Sequence, residues 1–183
     1  MKRSTWIVLV TFLALVGLTL YLNQKEPAVE EVEVTPTAMV EYLFTETDGL
    51  PTSIDIQKDN GEQVAIARND TGEWVLKQPI ETKADQGSAE AAASQLTSLR
   101  IVSRPEVAPA DVGLIQPTYI MTVELTGGVL KTVRIGNLTP TESGYYTNVN
   151  NSTEVLIVSK TGLDSLLTLV ESPPYISTPT PVQ

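Results

Sequence analysis

The sequence predicts an α+β domain, a mainly antiparallel sheet with two packed helices, preceded by one transmembrane helix. Three observations carry this expectation. Short apolar runs alternate with polar residues and are separated by turn clusters such as Asp59-Asn60-Gly61 and Thr126-Gly127-Gly128. Two stretches with helical apolar spacing each follow a run of strands instead of alternating with single strands, which argues against a doubly wound sheet. The run Trp6–Leu22, WIVLVTFLALVGLTLYL, carries no charge, and Lys2 and Arg3 precede it.

Residues 6–22 make a helix of roughly 25 Å, near the lower limit for crossing a bilayer. Lys2, Arg3 and Lys25 can extend their stems toward the headgroups. A soluble helix would show a polar face, and this run shows none. The residues after it, Thr19 to Gln24, contain no small-x-small cleavage site, and the chain has no cysteine to carry a lipid. An uncleaved anchor is therefore the expectation, with a cleaved signal as the alternative. The basic residues at the start place residues 1–5 in the cytoplasm and the rest outside, at the cell membrane. Trp6 and Leu22 bound the anchor.

Glu26, Glu30, Glu31 and Glu33, with Pro27 and Pro36, make residues 23–38 an extended, self-repelling linker. A strand through Val32 and Val34 is the other reading. The folded domain is expected over residues 39–171, and the Pro-rich residues 172–183 are expected to be disordered.

Within the domain, Val40 to Phe44 is a short apolar run and Asp48 to Pro51 a turn. Thr52 to Lys58 alternates, with Ile54 and Ile56 on one face and Asp55 on the other, solvated one. A three-residue loop over Asp59–Gly61 sets Ile56 opposite Val64 and Ile54 opposite Ile66, and gives Gly61 the left-handed position; a two-residue loop mixes the faces. Trp74-Val75-Leu76 is the next strand, ended by Pro79. Ala89, Ala92, Ala93, Leu96 and Leu99 then form a narrow stripe on a helix over residues 85–100, with Asp85 as N-cap. Ile101 to Leu114 reads as a connector.

The strand pattern resumes at Tyr119. A three-residue loop sets Leu125 opposite Val129 and Met121 opposite Val133, at the cost of Lys131 opposite Val123, where the face is expected to open to solvent. Tyr145–Val149 and Val155–Val158 form a further hairpin. Thr161 and Asp164 have capping-box spacing before the stripe Leu163, Leu166, Leu167 and Val170. Both halves run hairpin, further strand, helix, and can be read as two similar ββ(β)βα units.

Composition bounds the chemistry. Among 183 residues, 12 basic against 22 acidic side chains give a net charge of −10, which disfavours nucleic acid and anionic headgroups. Neither cysteine nor histidine is present, which removes disulfides, thiolate metal sites, the usual near-neutral general base and the Ser/His/Asp and Cys/His arrangements. Glu124 and Glu142 offer no carboxylate pair that spacing would bring together, and the linker glutamates lack a calcium loop. No catalytic residue, cofactor or metal is expected. Gly144-Tyr145-Tyr146 is the cluster of most interest: adjacent strand residues face opposite ways, so one tyrosine enters the core and the other is open to a partner.

Trp74-Val75-Leu76 with Pro79, Ala84-Asp85-Gln86, Gly113-Leu114 with Pro117, Ile135-Gly136, Gly144-Tyr145-Tyr146 and the closing strand and helix over Val155–Val170 follow one another in order. In this the chain resembles the bacterial family catalogued as domain of unknown function 4340, over most of Ser53 to Val170. Val112 stands where an aromatic often precedes Gly-Leu, and Gly127-Gly128 replaces the usual Asp-Gly tip; both are turn positions. The resemblance implies an anchored extracytoplasmic component, often encoded beside gliding-type ABC transporters, and brings no catalytic residues. The expected function is a single-pass, membrane-anchored extracytoplasmic interaction domain, accessory to membrane transport or envelope assembly, contacting the lipid bilayer and a membrane-protein partner. The alternative is an extracytoplasmic ligand-binding or sensing domain.

Overall fold

A computed structural model of the chain describes residues 12, 16 and 40–176. The expected anchor over Trp6–Leu22, with Lys2 and Arg3, and the expected linker over residues 23–38 therefore lie outside the described residues, apart from Phe12 and Val16, both helical. Among the described residues no helix is long and apolar enough to cross a membrane.

The strands are β1 (Glu41–Tyr42), β2 (Pro51–Lys58), β3 (Gln63–Arg68), β4 (Trp74–Gln78), β5 (Thr82–Lys83), β6 (Arg100–Ser103), β7 (Tyr119–Leu125), β8 (Val129–Leu138), β9 (Gly144–Val149) and β10 (Leu156–Ser159). The helices are α1 (Gln86–Thr97) and α2 (Lys160–Glu171), with a 3-10 turn at Glu46–Asp48. The strands form one antiparallel sheet in the order β1-β6-β10-β9-β8-β7-β2-β3-β4-β5. Each edge strand is two residues long, which leaves little template for edge-to-edge pairing.

Turn chemistry and side-chain alternation set the register. Ile56 faces Val64 and Ile54 faces Ile66 across the first hairpin, and Leu125 faces Val129 and Met121 faces Val133 across the second. Because β2 also pairs with β7 (Ile54 with Val123, Ile56 with Met121), these apolar residues share one face. Both helices cover that face, α1 over β2 and β4, α2 over β10, β9, β2 and β3. The core between the layers includes Ile54, Ile56, Leu76, Leu96, Met121, Val133, Ile135, Leu163 and Leu166. The alanines of α1 let its backbone lie close to the sheet.

Lys131 departs from expectation. It stays on the covered face, yet the segment before β2 folds over it. Its ammonium bonds Asp48 at 2.7 Å and lies 5.5 Å from the Phe44 ring centroid, leaving the side chain only 20% exposed. Sequence spacing could not show that this segment returns. Ile101 to Leu114 is also more than a connector, because Arg100–Ser103 enters the sheet between β1 and β10.

The rest of that connector lies on the opposite face, where Val112 and Leu114 form a small second core with Val155 and Tyr146. Asn137 N–H donates to the Val112 carbonyl at 2.9 Å. A Cβ on Gly136 would come within 2.4 Å of that carbonyl oxygen, so only glycine admits this approach. Asp55 also faces this side, but it is half-buried and held by the Gln63 amide at 2.8 and 3.0 Å, not simply solvated. Burial raises its pKa against the opposing effect of the Gln63 bonds.

The two halves are arranged alike. From the central β2–β7 pair one meander, β2-β3-β4-β5, runs outward and ends in α1; the other, β7-β8-β9-β10, runs the opposite way and ends in α2. Each half then sends its next segment across. β6 follows α1 and pairs with β10. After α2, Tyr175 bridges Ala84 and the Pro174 carbonyl accepts from Asp85 N–H at 2.8 Å. The start of the tail expected to be disordered is thus held against the first half.

Candidate functional site

Tyr119 opens β7 and Tyr145 lies near the start of β9, both on the helical side of the sheet. Beside them α2 presents Asp164, Leu167, Thr168 and Glu171, and the six residues line a cleft of about 300 Å³. The spacing of Asp164, Thr168 and Glu171 puts them on one helix face.

The cleft is polar and internally bonded. Tyr145 Oη donates to Asp164 Oδ1 at 2.7 Å, and Lys160, one turn back on α2, pairs with Oδ2. Burial, the hydrogen bond to Asp164 and the charge of that carboxylate together push the Tyr145 phenol up to about 12. Burial opposes ionisation of Asp164, but the bonds from Lys160 and Tyr145 outweigh it and hold the carboxyl below its ordinary pKa. At the mouth, Lys58 is paired across the sheet with Tyr119. Its ammonium lies 5.9 Å from the Tyr119 ring centroid, 3.5 Å from Glu62 and 4.0 Å from Glu171.

Asp164 was expected to cap α2 with Thr161. Instead Ser159 is the N-cap and makes no side-chain capping bond, and the Asp164 carboxylate is turned to Tyr145 and Lys160. Asp85, by contrast, caps α1, accepting from Ser88 N–H at 2.8 Å.

Of the expected contact residues, Tyr145 enters this cleft and Tyr146 faces the other side of the sheet against Val112, Leu114 and Val155. Both are partly buried, so the pair does not divide into one core and one open residue. Glu124 lies in β7 and Glu142 in the turn after β8. Trp6, Leu22, Lys2 and Arg3 lie outside the described residues. Sequence reading missed Tyr119, Asp164, Glu171 and Lys58 as a group. The one signal for them was the unexplained polar positions on α2 beside its apolar stripe. Among the described residues no cluster of three or more His, Cys, Asp or Glu side chains could hold a metal ion.

A larger recess of about 640 Å³ lies between the segment before β2 and the end of α1, lined by Tyr42, Phe44, Thr45, Gly49, Leu50 and Thr97. It is more apolar and lacks converging charged groups. The cleft at Tyr145 is therefore the better candidate for specific recognition.

The fold and site define a helix-on-sheet α+β domain with a polar, aromatic-walled cleft and no recognisable nucleophile–base constellation among the described residues. The sequence profile of the family described as a domain of unknown function (DUF4340) matches residues 74–172, and the chain belongs to that family. The match runs from Trp74 at the start of β4 to just beyond α2, so Ser53–Glu73 lies outside it. No match was found among curated proteins or solved structures.

Proposed function

We propose that the chain is a non-enzymatic, single-pass, membrane-tethered extracytoplasmic interaction domain, accessory to a transport or envelope assembly. The observation that carries this reading is the uncharged run Trp6–Leu22, placed between Lys2-Arg3 and a chain otherwise rich in acidic residues. Tethering would act through effective concentration, holding the domain near partners in the same membrane while the acidic linker sets its reach. The absence of histidine and cysteine throughout the chain supports a non-catalytic role. The gene association implied by the family resemblance supports a transporter as the kind of partner.

Protease added to intact protoplasts tests the topology. It should remove the domain and spare a short membrane-embedded fragment; a shortened protein freely released to the medium would refute the tether. Crosslinking in native membranes tests the partner, and failure to recover a membrane protein reproducibly refutes the accessory role.

A second reading, binding of a ligand, is favoured by one observation: Tyr119, Tyr145, Asp164 and Glu171 converge on a cleft with room for a small polar group.

A further inference from the structure

The two halves of the domain each build a cleft in the same place, and only in the first does a guanidinium of the chain itself lie against the aromatic ring and the helix carboxylate. In the first half a smaller cleft of about 100 Å³ is lined by Pro51, Arg68, Glu90, Ala93, Ser94 and Thr97, among others. Pro51 opens β2 as Tyr119 opens β7. Glu90, Ala93, Ser94 and Thr97 hold the same places in the twelve-residue α1 as Asp164, Leu167, Thr168 and Glu171 hold in the twelve-residue α2. Trp74 near the start of β4 donates from Nε1 to Glu90 Oε2 at 2.8 Å, as Tyr145 near the start of β9 donates to Asp164. An aromatic hydrogen bond to the fifth residue of the helix therefore recurs in both halves.

In the first half this frame holds a guanidinium. Arg68, the last residue of β3, lies with its Cζ 4.4 Å from the Trp74 ring centroid and donates to Glu90 Oε2 at 2.7 Å and to the Gly72 carbonyl at 2.9 Å. The corresponding residue of the second half is Leu138, the last of β8. It sits opposite Tyr145 as Arg68 sits opposite Trp74. Leucine supplies no cation.

The second cleft keeps the rings and the carboxylates. Around it Glu62, Asp164 and Glu171 face Lys58 and Lys160, three carboxylates against two ammonium groups. Lys58 is held loosely at the mouth, over the Tyr119 ring and between two exposed glutamates. The first half pairs Glu90 with Arg68 alone, whereas in the second Glu171 shares the single ammonium of Lys58 with Glu62.

We infer that the cleft between Tyr119, Tyr145 and α2 binds an organic cation, a guanidinium in first place and an ammonium in second, supplied from outside the chain where Leu138 cannot supply it. Aromatic faces and carboxylates together select such groups over neutral isosteres of the same shape. This inference rests on the reading of the cleft as a binding site and is independent of the tether. The cation's source is either the side chain of a basic partner polypeptide or a free solute.

The test is a titration of the full-length chain in non-ionic detergent micelles, followed through the tyrosine ring resonances of Tyr119 and Tyr145. The probes are a blocked arginine (Nα-acetyl-arginine amide), the matching lysine and citrulline compounds, and free arginine. Saturable shifts are expected with blocked arginine, with at least tenfold weaker binding of citrulline. Glu171→Gln, at an exposed position, should weaken arginine binding about fivefold. Leu138→Arg should abolish it by filling the cleft from within, moving the Tyr145 resonance before any ligand is added. Tighter binding of the blocked compound points to a polypeptide side chain, and tighter binding of free arginine to a solute. Citrulline binding as well as arginine would overturn the inference while leaving the cleft a binding site. No saturable shift with any probe would overturn both. Arginine binding untouched by Glu171→Gln and Leu138→Arg would place the ligand elsewhere and end the proposal.

Discussion

Tyr145 shows how one residue's surroundings set its chemistry. Its ring packs at the margin of the main core while its hydroxyl donates to Asp164, so ionising it would leave two negative charges in contact. Burial first, then the hydrogen bond to Asp164 and the charge of that carboxylate, raise the phenol from 10.0 to about 12. A pKa raised by folding means that the stability it contributes is complete below about pH 10 and is lost as pH rises through about 12. In an absorbance titration, the Tyr145 phenol should therefore ionise as a late step near pH 12. Tyr145→Phe should remove that late step and flatten the loss of stability between about pH 10 and 12. A late step that survives the substitution would show that another tyrosine carries it. The interest of Tyr145 was legible in the sequence; its partner was not. Asp164 is 19 residues away, and its spacing from Thr161 suggested a local capping role. Local spacing reports only local bonds, and a tertiary partner took this carboxylate.

At the scale of elements, hairpins were legible and crossings were not. The registers of β2 with β3 and of β7 with β8 follow from Gly61 and the Thr126-Gly127-Gly128 tip together with alternation, because a one-residue slip would reverse every side chain. β1 and β6 are two and four residues long and owe their existence to distant partners, and β5 is a two-residue return onto β4, so no periodicity announces them. The 3-10 turn is a similar case. Asp48 accepts from Thr45 N–H at 2.7 Å and from the Thr45 hydroxyl at 2.8 Å, and pairs with Lys131 across the sheet face. The bond from Lys131, with those from Thr45, lowers the Asp48 pKa from 3.8 to about 2. A depressed pKa gives stability that is present above about pH 4 and is lost as pH falls toward 2. Asp48→Asn should cost about 1–2 kcal/mol at neutral pH. It should match the unsubstituted chain near pH 2, with thermal unfolding across that range as the measurement. An equal cost at both pH values would mean that Asp48 acts through shape and not through charge.

The whole domain follows from two meanders joined back to back, each sending a segment into the other. β6 completes the sheet beside β10, and Pro174 and Tyr175 close over Ala84 and Asp85. Both halves also share the core through Ile54, Ile56, Met121 and Val123. Neither half can then satisfy all of its own strands, and α2 packs across onto β2 and β3 of the first half as well as onto β9 and β10. The chain should unfold in a single transition in which calorimetric and van't Hoff enthalpies agree. A fragment of residues 40–118 should show no cooperative unfolding by circular dichroism. A folded fragment would mean that the exchange of segments is dispensable. The α+β class and the similarity of the halves were visible in the order of the patterns, but the exchange was not, since it depends on pairings across the full length of the domain.

The same exchange sets a timetable for biosynthesis. β2 meets its partner β7 only after the residues near Val123 have been made, and Asp85 waits for Pro174. Contacts so distant in sequence fold slowly, because long loops must close before the pairing rewards them. While the ribosome is still adding the second half, the first has a finished hairpin with one bare flank, a template for misassociation. That flank is covered once β7 is made, and the domain closes when Pro174 and Tyr175 reach Asp85 and Ala84. The short segment after α2 thus acts as a completion signal, and chains truncated there should be the ones most in need of chaperones.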